Sequence, residues 1–203
     1  MILALLLAAA EPPMSAIDAE RAFVADAQKL GQWTAFRKYA ADDAVMFVPQ
    51  QVNAQQFLKG RNDPPASVYW WPGKSFVSCD GSYAVNTGPW VRQYGKAVGF
   101  FTTVWKRQAD GSWKWIYDGG DGLDTARAEG GDIKPNIAAC SGEKKRGFIA
   151  TPPAYDSVGG GKSGDNSLIW RWSVSAAGAL VFEVWLWNGR TYDKVLTDDI
   201  KAS

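Results

Sequence analysis

Residues 99 to 120 read GFFTTVWKRQADGSWKWIYDGG, two aromatic-rich stretches on either side of Asp110-Gly111. Asp-Gly between alternating apolar residues is a tight-turn signal, so the stretch predicts a β-hairpin. The expected register pairs Thr103 with Asp118, Trp105 with Ile116 and Arg107 with Lys114 on one face. Phe100, Val104, Trp113, Trp115 and Tyr117 then fall on the other.

Working outward, 74–79, 83–91, 96–107 and 112–118 read as four strands, separated by Asp80-Gly81, Tyr94-Gly95 and Asp110-Gly111. Upstream, residues 16–41 carry helical signals. Ser15 can cap, Ile17, Ala22, Phe23, Ala27 and Leu30 recur near a 3.6-residue period, and Gly31 divides one helix from a shorter second. Helices first and a meander afterwards give an α+β architecture. Residues 121–166 are rich in glycine, proline and small polar residues and read as an extended connection. Within them Gly159-Gly160-Gly161-Lys162-Ser163 lacks the spacing of a phosphate loop and reads as linker. Residues 167–203 recover strand character as a C-terminal β-meander. Its Asn188-Gly189 turn predicts Trp187 opposite Arg190, Trp185 opposite Tyr192 and Glu183 opposite Lys194. Three strands alone are marginal, so they are expected to dock on the main body or extend its sheet.

The 203 residues carry a formal net charge of +1, which removes the electrostatic footprint of a nucleic-acid binder. Lys144-Lys145-Arg146 reads as a solvated loop. No histidine occurs, which excludes Ser-His-Asp and Cys-His mechanisms; no metal site or cofactor is expected. Residues 1–10, MILALLLAAA, end in a small-x-small pattern and read as a signal peptide, too short to span a bilayer; a periplasmic or secreted location is expected. Cys79 and Cys140 are either a disulfide closing a loop of about 60 residues or a pair of buried thiols.

Three segments, FRKYAADDAVMFVP (36–49), WWPGKSFVSCDGSYAVNTGPW (70–90) and VWKRQADGSWKWIYD (104–118), resemble the nuclear transport factor 2-like superfamily, in its SnoaL-like and ketosteroid-isomerase-like branch. The resemblance covers about residues 17–120. It implies a cone-shaped curved antiparallel sheet with the N-terminal helices on its concave face, and a homodimer formed through the open sheet face. The isomerase residues do not carry over. Aligned on the Ala-Asp-Asp-Ala stretch ending at Ala44, the base aspartate falls on Val48, the oxyanion tyrosine near Val24 and the protonated aspartic acid near Trp105.

Asp118, set among apolar residues at a strand end, is the candidate acid or base; a structural hydrogen bond to Thr103 is the plainer alternative. Asp42 and Asp43 read as a solvated helix end. Tyr69, Trp90, Thr103, Trp105 and Tyr117 are the pocket candidates, although most of the eleven tryptophans are expected to pack. The leading expectation is an exported protein holding a small apolar molecule in its cone. The alternatives are an isomerase, cyclase or dehydratase-like enzyme using Asp118 with Tyr117 or Tyr69, and an envelope interaction protein binding through its tryptophan-rich C-terminal strands.

Overall fold

A computed structural model describes residues 14–127, 130–142 and 155–202. The apolar block 1–10 and the basic cluster at 144–146 lie outside the described residues. Helix α1 (Ala16–Leu30) opens with a reciprocal cap, in which Ser15 Oγ accepts from the Asp18 amide and the Asp18 carboxylate accepts from the Ser15 amide. Gly31, at φ +106°, breaks the chain between α1 and α2 (Gln32–Tyr39), and α3 is Ala54–Leu58. A Cβ at Gly31 would fall 2.3 Å from the Asp63 carboxyl carbon, and that carboxylate accepts from the amide and hydroxyl of Thr34 in the first turn of α2. Asp63 is therefore a distant cap, and only glycine lets it in.

The strands are β1 (Ala40–Phe47), β2 (Gln51–Asn53), β3 (Tyr69–Trp70), β4 (Lys74–Val77), β5 (Tyr83–Arg92), β6 (Ala97–Arg107), β7 (Trp113–Leu123), β8 (Asn136–Ile137), β9 (Tyr155–Lys162), β10 (Leu168–Ser175), β11 (Leu180–Trp187) and β12 (Tyr192–Ile200). They form a curved, unclosed sheet ordered β2-β1-β7-β6-β5-β4-β8, with β3 on β5, and a second sheet ordered β12-β11-β10-β9. Pairing is antiparallel except between β1 and β7 and between β4 and β8. The α+β cone with helices on its concave face is thus as expected.

Two cores follow from this layering. Inside the cone, Phe23, Ala27 and Ala35 of the helices meet Trp70, Phe101, Trp105, Trp113 and Trp115 of the sheet. On the opposite face, Phe76, Val85, Val104 and Tyr117 pack against Trp170, Trp172, Phe182 and Val184 of the second sheet, with Tyr117 and Phe182 stacked at 4.4 Å. The C-terminal strands dock face to face and do not extend the first sheet. They cover the open face through which the resemblance implies a homodimer.

Three local expectations are corrected. Residues 155–162 are strand β9, not linker. Its glycines lie under tryptophan rings: a Cβ at Gly159 would fall 2.3 Å from the Trp172 ring, and one at Gly161 2.9 Å from Trp170 Nε1. In the C-terminal hairpin the turn is Asn188 to Thr191, because the Asn188 side chain accepts from the amides of both Arg190 and Thr191. Trp187 therefore faces Tyr192 and Trp185 faces Lys194, while Lys194 still reaches Glu183 at 2.6 Å across the diagonal. The third correction moves side chains in the opening hairpin. Val104 faces Tyr117 but Trp105 faces Trp115, which leaves Ile116 as a bulge. One extra residue reverses the alternation, so Trp113, Trp115 and Asp118 all enter the cone and Tyr117 leaves it.

Candidate functional site

The cone encloses a cavity of about 310 Å³, open at one end. Its wall is aromatic, from Trp33 and Phe36 of α2, Trp70 of β3, Trp90 of β5 and Phe101 of β6. Its acidic group is Asp118 on β7, followed by Gly119 and Gly120, which add no side chain to the wall. A Cβ at Gly120 would fall 2.1 Å from the Phe100 carbonyl oxygen, so the backbone of β6 and β7 approaches too closely there for any other residue. The Thr103 hydroxyl donates to Asp118 Oδ2 at 3.1 Å. Arg92, exposed at the rim, sits 5.4 Å from the centre of the Trp90 ring.

Behind the wall lies a second carboxyl that the sequence reading passed over. Glu20 of α1 is fully buried. Trp70 Nε1 donates to its Oε1 at 2.8 Å, Trp105 Nε1 to its Oε2 at 2.7 Å, and Asn86 Nδ2 to Oε2 at 3.3 Å. The signal was present: Glu20 stands three residues from Ile17 and from Phe23, in the middle of the apolar stripe of α1. A carboxyl on that stripe must find donors inside.

Burial pushes the Glu20 carboxyl up to about 7, against the pull of its three N–H bonds. Asp118 is raised to about 8, first by burial at the cavity floor and then by the charge of Glu20; the Thr103 bond works the other way. Asp118 is half-buried where it borders the cavity, whose lining carries Gln32 and Arg92 beside the aromatic rings. Both carboxyls are thus held towards their protonated forms, Asp118 in part by the charge of Glu20.

The remaining candidates are dispersed. Trp90 lines the cavity and Thr103 holds Asp118 from within the sheet. Trp105 is fully buried and serves Glu20, so an acid does occupy this part of the cone, delivered by α1 rather than β6. Tyr117 points to the second sheet, where burial, Asp198 and Asp118 hold its phenol well above the usual range. Tyr69 is 49% exposed and lines a separate depression with Trp71 and Arg21. Neither tyrosine that the enzyme alternative pairs with Asp118 reaches the cavity. The C-terminal tryptophans Trp170, Trp172, Trp185 and Trp187 are all buried, which removes the surface that the partner alternative needs. Cys79 and Cys140 are bonded (S–S 2.02 Å), tying the β4–β5 turn to the segment after β8. Among the described residues no cluster of metal-ligating side chains occurs, and no helix is long and apolar enough to cross a membrane.

Fold and site together define an α+β cone with an aromatic-lined cavity that Asp118 borders, with Glu20 buried behind its wall. Solved structures similar to it include a protein from Parabacteroides distasonis provisionally named a ketosteroid isomerase (19% identity, TM-score 0.43, covering 53% of this chain and 88% of that one). A nuclear transport factor 2-like superfamily protein from Salmonella enterica (12%, 0.41, 58% and 94%) and the CaMKII hub of S. rosetta (18%, 0.41, 57% and 100%) are similar in the same way. No protein-family model and no curated protein sequence matches the chain.

Proposed function

We propose that this protein binds a small, largely apolar molecule inside the cone. The observation that carries the reading is the cavity itself: about 310 Å³, walled by tryptophan and phenylalanine, with Asp118 as its acidic group. Ligand pockets of this size are mostly apolar, with a few polar groups that orient the ligand. The Cys79–Cys140 bond supports an oxidising location, in line with export.

A diverse panel of small aromatic and alicyclic compounds tests this. Binding is expected to change the emission of the lining tryptophans and to raise the melting temperature, since a ligand that binds only the folded state stabilises it. Val48→Trp, which fills the cavity, is expected to abolish both effects while the protein still unfolds cooperatively. A broad panel without one hit refutes the reading, and so does binding that survives the filled cavity.

A further inference from the structure

We propose that the cone selects an organic cation, an amine or quaternary ammonium whose apolar body lies against Trp33, Phe36, Trp70 and Trp90 and whose charge meets the Asp118 carboxylate. This rests on the pocket reading above and adds the chemical class of the ligand.

Glu20 and Asp118 lie within electrostatic reach of each other inside one cone. Among the described residues neither is paired with a lysine or arginine: Glu20 accepts from two indoles and an amide, and Asp118 from a hydroxyl. Buried carboxyls are ordinarily matched by a cation or held neutral. Here the fold supplies only neutral donors, and Asp118 borders the cavity. The aromatic rings of the lining are the second attraction. An indole or phenyl face draws a cation placed within about 6 Å of its centre, most strongly where water is excluded. Trp90 already shows the preference at the rim, where Arg92 sits over it.

The charged groups facing Asp118 are Glu20 from α1 and Arg92 at the end of β5; β1, β6 and α2 present Met46, Thr103 and Phe36. Arg92 is exposed, so water screens it from a charge at the cavity floor. Glu20 is sealed behind Trp70 and Trp105, so it acts through space and not by contact. A cation entering the cavity favours the ionised form of Asp118 and expels the proton that the empty site holds. Cation affinity therefore rises with pH, whereas a neutral acceptor of the Asp118 proton binds less well as pH rises.

Calorimetry on the full chain with three phenyl compounds of similar size separates these cases: benzyltrimethylammonium, benzyl alcohol and benzoate. The cation is expected to bind at least tenfold more tightly than either competitor. Its affinity should climb roughly tenfold per pH unit from pH 6 towards 8, with release of about one proton. Asp118→Asn should abolish the preference and the pH dependence and leave weak binding of benzyl alcohol. Equal or tighter binding of benzyl alcohol or benzoate overturns the cation proposal and leaves the pocket reading standing. So does a cation affinity that is flat with pH in the unmodified protein, a result that does not depend on any variant folding. Failure of all three probes, and of the broader panel, overturns the pocket reading and this one with it.

Discussion

Glu20 offers the sharpest quantitative test, because burial outweighs its three hydrogen bonds and fixes the sign of its shift. Its ordinary value is 4.5 and the fold raises it to about 7. At 1.36 kcal/mol per pH unit, that difference corresponds to about 3 kcal/mol. The folded chain keeps a proton that the unfolded chain releases above about pH 4.5. Glu20 therefore subtracts nothing from stability below that pH, and its full cost is reached once pH has passed 7. Asp118, raised for related reasons, acts in the same direction. Replacing Glu20→Gln removes the titration and also the part of the Asp118 shift that stems from the Glu20 charge. The glutamine amide suits its donor neighbours poorly at every pH, so only the slope is diagnostic. Urea unfolding at pH 4.5, 6, 7.5 and 9, followed by tryptophan emission with the disulfide intact, gives the two stability curves. Wild type minus variant should fall by about 3 kcal/mol across that range. Parallel curves would show that Glu20 is not a buried, proton-retaining carboxyl and would remove it as a cause of the Asp118 shift.

Two further outcomes follow from the packing. Cys79 and Cys140 are 61 residues apart, and a cross-link closing a loop of that length restricts the unfolded chain by about 4 kcal/mol. Cys79→Ala with Cys140→Ala should therefore lower stability by up to that amount in urea titrations, and an unchanged midpoint would refute the role given to the bond. Gly159→Ala places a methyl 2.3 Å from the Trp172 ring and should cost roughly 1–3 kcal/mol through displacement of that ring, read as a lower melting temperature. If alanine stabilises the protein instead, residues 155–162 do not lie under the tryptophans as described.

Legibility of the sequence divided along a physical line. The hairpins of the cone were readable because Asp-Gly turns and aromatic alternation are local signals, and the Thr103–Asp118 pair was placed correctly from them. The bulge at Ile116 was not readable. It changes no residue type, yet it moves Trp113 and Trp115 to the other face. Strand β9 was hidden by its own function, since a strand that lies beneath two indoles needs glycine, and glycine otherwise marks a linker. Asn188-Gly189 suggested the commonest two-residue turn, but the Asn188 side chain closes a longer loop. Glu20 is the opposite case: its position on the apolar face of α1 was visible, and one carboxyl at a core position is a signal of a buried polar network.

The second sheet bears on the cavity although it never touches it. Asp118 and Tyr117 are neighbours in β7 and point to opposite faces. The stack of Tyr117 on Phe182 thus holds from behind the strand that carries the acid. The same pattern recurs on β6. Thr103 holds Asp118 on the cone side, while adjacent Thr102 donates to Asp198 of β12 at 2.6 Å on the other, and Asp198 also meets Arg127 at 3.6 Å. Both strands of the opening hairpin are therefore fixed from outside by residues of the C-terminal sheet. An acid that must retain a proton without a cation depends on a wall that does not open to water. Covering the back of that wall with a second packed sheet is one way in which the fold keeps it closed.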